Sequence, residues 1–175
     1  MGAAGDPRLL VLRGPSGAGK TTAARALSRR SGRGTALIEQ DVIRREILWE
    51  HGVPGGVTPG LLDVMCRHTL AAGCQVILEG ILHERRYGPT LRRLVADHRG
   101  PSLVCFFDIP FPDTVRRHAT RPQSAEFSPA DMLGWYVPDD RLRVPGEVVR
   151  GPDVSPAGTV ALLDAACRDP TGRAG

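Results

Sequence analysis

Near its start the chain reads Gly14-Pro15-Ser16-Gly17-Ala18-Gly19-Lys20-Thr21, a match to G-x-x-x-x-G-K-[ST]. Glycines at 14, 17 and 19 let the main chain curl until successive N–H groups face one concavity, which suits phosphate oxygens. Such a ribbon needs a strand to deliver it. It also needs a helix to receive it, because the helix N-terminus adds unpaired N–H donors and a positive dipole end. Both flanks are present: an apolar run at 8–12 and then Thr22-Ala23-Ala24-Arg25-Ala26-Leu27. Of 23 basic residues, Lys20 is the only lysine. The arginine excess reads as codon bias, which makes one retained lysine at this position informative. The pattern predicts a bound nucleoside triphosphate, ATP or GTP, cradled by Gly14, Pro15, Ser16, Gly17, Ala18, Gly19, Lys20, Thr21 and Thr22. Lys20 would place its charge on the β- and γ-phosphates, and the Thr21 hydroxyl would ligate Mg²⁺.

The rest of the chain alternates between two patterns. Continuous apolar runs at 8–12, 35–39, 75–78, 102–107 and 147–149 predict strands covered on both faces, as in a parallel sheet. Helical spacing appears in Leu61, Val64, Met65 and His68, and again in Leu91, Leu94, Val95 and His98. Both histidines therefore belong at helix edges near the core. Ser128-Pro129, Thr58-Pro59 and Ser155-Pro156 mark helix starts, with Asp131 completing the first as an N3 carboxylate. The segment 51–60 reads as a mobile loop and 169–175 as a frayed tail. The alternation predicts an α/β fold with right-handed crossovers.

Composition limits the alternatives. With 175 residues, 41% of them apolar, the chain suits one domain over 1–175 rather than a disordered segment. Aromatics are only 5%, so Leu, Val, Ile and Ala must fill the core. No apolar run reaches the roughly 20 residues of a membrane span, and MGAAGDPRLL lacks the layout of a signal peptide. The expectation is a cytoplasmic protein with no membrane partner. Cys66, Cys74, Cys105 and Cys167 form no C-x-x-C pair and read as small buried hydrophobes.

With its glycine-rich loop, strand–helix order and length, the chain resembles the small P-loop kinases of the nucleoside-kinase-like group over about residues 9–167. That group includes adenylate, shikimate and gluconate kinases, polynucleotide kinase and chloramphenicol phosphotransferase. The resemblance implies a three-layer P-loop NTPase sandwich with a five-stranded parallel sheet in the order 2-3-1-4-5. It also implies a helical lid at about 113–143 and transfer of the γ-phosphate to a small hydroxyl acceptor. Small antibiotic phosphotransferases of similar length are also similar, which suggests an antibiotic or nucleoside-like acceptor and a role in antibiotic resistance. Other P-loop classes fit less well. An N-K-x-D guanine reader needs a second lysine, and the L-S-G-G-Q signature of transporter ATPases is absent.

Residues at strand C-terminal ends of such a sheet face the ligand crevice. Asp41 follows the second apolar run, and an aspartate there contacts the acceptor hydroxyl in the resembling kinases. It is the expected general base, with helix capping as its structural alternative. Glu79 ends the third run as a Walker B-like acid for metal or acceptor and is the second candidate base. One of Arg44 and Arg45 is expected to contact acceptor or phosphate, with the other on a solvated face, and His83, Arg85, Arg86 and Tyr87 are candidates to line the acceptor pocket. Trp135, Tyr136 and Asp139 form a cluster suited to an acceptor wall or to packing at the core edge. Arg117 and Arg121 lie one helical turn apart, where arginines of adenylate-kinase-like enzymes clamp the base and the transferring phosphate. Residues 122–127 would follow as the lid loop. Arg150 lies where relatives hold the nucleotide base. Two rival readings remain: a nucleic-acid end kinase and a nucleotide-binding regulator without transfer. The first is disfavoured by a net charge of only +4 and by the lack of arginine runs interleaved with aromatics.

Overall fold

A computed structural model of the chain describes residues 6–51, 55–119 and 127–168. Five strands form one all-parallel sheet: β1 (Leu9–Arg13), β2 (Thr35–Glu39), β3 (Gln75–Gly80), β4 (Ser102–Phe107) and β5 (Val148–Arg150). The spatial order is β2-β3-β1-β4-β5, as expected. Around it pack α1 (Lys20–Ser31), α2 (Gln40–Val42), α3 (Thr58–Ala71), α4 (Glu84–Asp97), α5 (Phe111–His118), α6 (Pro129–Trp135) and α7 (Pro156–Arg168). A π-helical turn, Ile43–Ile47, continues α2.

Every residue of β1 is buried, which explains its unbroken apolar run. Leu9 and Val11 enter the core shared with α3 and α4, including Leu62, Cys66, Leu91 and Leu94. Leu10 and Leu12 enter the other core, with Ala23, Ala24 and Leu27 of α1 and Leu163 of α7. The result is three layers. Register brings the strand ends level, with Arg13 opposite both Gly80 and Phe106, and Glu39 opposite Glu79.

Several boundaries differ from expectation. β1 is shifted one residue, so Arg13 is its last residue and lies fully buried. β3 runs on to Gly80, placing Glu79 inside the strand, and β5 ends on Arg150 rather than before it. The first two extend strands into polar residues, Arg13 and Glu79, whose partners lie far along the chain, while Arg150 bonds Thr159 in the next helix. Ser128 and Asp131 form the anticipated capping box. Thr58 instead stands inside α3, buried, with its N–H and hydroxyl bonded to Glu50, so Glu50 takes the capping role expected of Thr58. His68 is exposed, and His98 bonds the Pro7 carbonyl at 2.8 Å. Cys66 and Cys105 are buried, and burial pushes both thiols up to about 12. Arg121, most of the predicted lid loop, the tail 169–175 and the Cys167 side chain lie outside the described residues.

Candidate active site

The glycine-rich loop joins β1 to α1 at the C-terminal edge of the sheet, and its curl depends on missing side chains. Gly19 is the N-cap of α1 at φ +97, a left-handed conformation that disfavours any Cβ. Gly17 passes so close to α5 that an added Cβ would lie 2.7 Å from the Thr114 carbonyl oxygen. The loop therefore rests directly on α5. Lys20 opens α1 only 6% exposed, and its Nζ donates to the Pro15 carbonyl at 2.7 Å, folding the ammonium back across the ribbon.

Beneath this ribbon stands Glu79, 3% exposed. The Thr21 hydroxyl donates to its Oε1 at 3.0 Å. Burial pushes the Glu79 carboxyl above its usual range, while Lys20 and the Thr21 hydroxyl draw it down without cancelling that effect. The charges of Glu39 and Asp41 push it further up. A hydroxyl and a carboxylate oxygen in contact are hard donors suited to Mg²⁺, which keeps few protein ligands and takes others from phosphates and water. Among the described residues no cluster of three or more His, Cys, Asp or Glu suits a metal by itself. The two-oxygen set fits Mg²⁺ accompanying a nucleotide.

Asp41 lies in the first turn of α2, half-exposed to solvent, while Glu39 at the N-cap makes no capping bond and its carboxylate instead accepts from Arg25 at 2.6 and 2.7 Å. The Asp41 carboxylate accepts from Arg44 at 2.7 Å and from Arg45 at 3.3 Å. On the other side of the loop, Arg117 of α5 donates to the Ala18 carbonyl at 3.3 Å and to the Pro152 carbonyl at 3.1 Å. It thereby bridges the ribbon and the connection after β5.

The remaining candidates make different contacts. Arg150 is buried and donates to the Thr159 hydroxyl at 2.7 Å, tying β5 to α7. Tyr136 donates to the Ile109 carbonyl at 3.3 Å and packs edge-on against Phe111; Trp135 packs edge-on against Phe127, which stacks on His118. This cluster joins α5 to α6. Asp139 is exposed and paired with Arg141 and Arg143. His83 is the N-cap of α4, with Nδ1 3.4 Å from Asp140.

Arg13 is not among the residues singled out from the sequence, and Asp140 is expected there only beside Asp139, in the acceptor-wall cluster with Trp135 and Tyr136. The Arg13 guanidinium donates to the Leu82 carbonyl at 2.8 Å and to the Asp140 carbonyl and carboxylate at 2.5 and 3.2 Å. Asp140 also accepts from the Glu84 N–H at 3.1 Å. The available signal was an arginine directly before the first loop glycine, at the end of an apolar run.

Comparison with known proteins agrees with this architecture. The sequence model of the AAA domain family matches residues 9–135. Among solved structures, the Mycobacterium tuberculosis APS kinase CysC in complex with AMPPNP and APS superposes with a TM-score of 0.74 at 17% identity. That alignment covers 94% of this chain and 99% of the other. A gluconokinase from Sinorhizobium meliloti aligns with a TM-score of 0.64 at 17% identity, covering 94% of each chain. Chaetomium thermophilum Kti12 in complex with ADP-AlF3 aligns at 0.62 and 19% identity, covering 95% of this chain and all of the other. No curated protein matches the sequence.

Proposed function

The chain belongs to the AAA domain family, and from that membership and its P-loop geometry we propose that it is a kinase moving the γ-phosphate of ATP, or of GTP, to a hydroxyl of a small molecule. One observation carries this reading: Lys20, Thr21 and Glu79 converge beneath a curled ribbon of amides, with Asp41 on the rim of the same edge. The ribbon N–H groups and Lys20 hold the triphosphate. Thr21 and Glu79 would hold Mg²⁺, which when bound draws charge from the β- and γ-phosphate oxygens. Asp41, fixed by Arg44 and Arg45, takes the proton of the acceptor hydroxyl. The hydroxyl oxygen bonds to the γ-phosphorus as the bond to the β–γ bridging oxygen breaks, and the nucleoside diphosphate departs. Arg117, which bonds the ribbon at the Ala18 carbonyl, would neutralise charge during transfer.

The test couples nucleotide calorimetry to release of nucleoside diphosphate across hydroxylated metabolites and antibiotics. Lys20→Ala is expected to abolish turnover with the fold intact. Asp41→Asn is expected to keep nucleotide affinity and lose roughly 100-fold or more in transfer. Near-normal transfer by Asp41→Asn would move the base to Glu79. Tight ATP binding without diphosphate release from any acceptor would favour a nucleotide-binding regulator.

A further inference from the structure

Two strands of the sheet end on buried arginines, β1 on Arg13 and β5 on Arg150. A cation taken out of water is tolerated when a carboxylate meets it. Arg13 follows that rule, with Asp140 at 3.2 Å and Glu147 at 3.8 Å. Arg150 does not. It is 6% exposed, and among the described residues it forms no ion pair. The one hydrogen bond of its side chain goes to the Thr159 hydroxyl at 2.7 Å, a neutral group. Its Nε is buried without a partner; the Arg13 Nε is bare too, but there the charge is answered by two carboxylates. Thr159 stands in the first turn of α7, whose N-terminus adds the positive end of a helix dipole rather than a compensating negative charge.

This unanswered charge sits behind the glycine-rich loop. Arg150 is opposite Phe107 in the parallel register, and Phe107 lies against Gly14, where an added Cβ would come 2.6 Å from the Phe107 carbonyl oxygen. Two strand spacings of about 4.8 Å place the Arg150 backbone roughly 10 Å from the first glycine of the loop. Leu163 of α7 packs with Ala23, Ala24 and Leu27 of α1, the helix that Lys20 opens. Two residues beyond Arg150, the Pro152 carbonyl shares Arg117 with the Ala18 carbonyl of the loop. The medium between Arg150 and the loop is therefore packed protein, through which charge acts further than through water.

We propose that the nucleotide's polyphosphate is the counter-charge of Arg150: the buried guanidinium is a positioning residue that draws the triphosphate onto the loop from behind, without touching it. This rests on the triphosphate reading of the loop given above. At roughly 10–15 Å, with an effective dielectric constant of about 20, one unit of ligand charge is worth about a tenfold change in affinity before salt screens it.

The experiment measures binding of ATP, ADP and AMP, and of their guanine counterparts, by calorimetry with Mg²⁺, together with melting with and without MgATP. Arg150→Met keeps the length of the side chain and removes its charge. It is expected to weaken the triphosphate about tenfold, the diphosphate about threefold and the monophosphate least, a loss graded by ligand charge. A merely structural role would weaken all three alike. Without nucleotide the variant is expected to melt at or slightly above the wild type, since the Thr159 hydroxyl keeps its bond to the Ser155 carbonyl at 3.0 Å and no carboxylate is stranded. With MgATP it is expected to melt below the wild type. Arg150→Lys is expected to keep most of the triphosphate affinity, and Thr159→Val, which spares the charge, to keep the grading. An equal loss for the three ligands overturns the proposal, as does a triphosphate affinity that Arg150→Met leaves unmoved. An Arg150→Met protein that melts well below the wild type without nucleotide, or fails to fold, would show that an acid of the chain itself answers Arg150, and the proposal falls. A wild type that binds no triphosphate at all is a separate failure, that of the loop's own reading.

Discussion

At Glu79 a carboxylate is nearly sealed from water beside the chain's only lysine, and burial pushes its pKa up more than Lys20 and Thr21 lower it. The folded protein therefore holds this proton more tightly than the unfolded chain does. Its contribution to stability is fully present below the ordinary carboxylate range and is lost as pH rises through the folded value. Glu79→Gln is accordingly expected to raise the melting temperature of the nucleotide-free protein at about pH 8, with the gap closing toward about pH 4, where an ordinary carboxylate is itself half protonated. The same variant is expected to lose roughly 100-fold or more in turnover, the scale set by removing one preorganised electrostatic group. Melts across this pH range decide the point. A variant that melts below the wild type at the alkaline end would mean that attraction to Lys20 outweighs the cost of burial.

The connection from α6 to β5 has no regular structure, yet it is bound to two elements, β1 and α4. Arg13 of β1 reaches Asp140 and, at 3.8 Å, Glu147; Glu84 at the start of α4 donates its N–H to Asp140; Arg92 of α4 donates to the Leu142 carbonyl at 3.0 Å. Burial lowers the Arg13 pKa, and Asp140 and Glu147 oppose that shift, so the ion pair is what keeps the cation tolerable in the core. The opposite end of the expected lid is also pinned, by Gly17 against Thr114 and by Arg117 on Ala18. Both ends of the expected lid at 113–143 are therefore tied to the rest of the molecule. Asp140→Ala strands a buried charge and is expected to cost about 3–5 kcal/mol. Asp139→Ala, which only loosens exposed pairs with Arg141 and Arg143, is expected to leave the unfolding midpoint nearly unchanged. Urea unfolding of the two variants side by side tests this. Equal losses would show that the connection carries no special share of the stability.

At the scale of the whole chain, the sheet order and the cradle were legible in the sequence for a physical reason. A strand stretch buried on both faces is kept apolar, as Leu9–Leu12 of β1 and Val104–Phe107 of β4 are, and a glycine ribbon leading into a helix has few geometries open to it. Arg13 was not legible, because a buried arginine declares itself only through a partner, here 127 residues away along the chain. Asp139 and Asp140 are identical neighbours, and only folding separates the exposed one from the one that meets Arg13. Arg86 and Tyr87 were candidates from their place after the third apolar run, but the bond from Gln40 to Tyr87 was hidden similarly, since it joins residues 47 apart along the chain. What links these parts in one response is the loop itself, which touches β1, α1, α5 and, through Arg117, the connection after β5. A ligand that fills the loop stabilises them together. At a free nucleotide concentration of 100 times Kd the gain is about 2.7 kcal/mol. For a domain of this size that gain corresponds to roughly 5–10 °C in melting temperature. Lys20→Ala is expected to lose most of this shift while melting near the wild-type temperature without nucleotide. A wild-type melting curve that does not move when MgATP and MgGTP are added at millimolar concentration would contradict a triphosphate site in this loop.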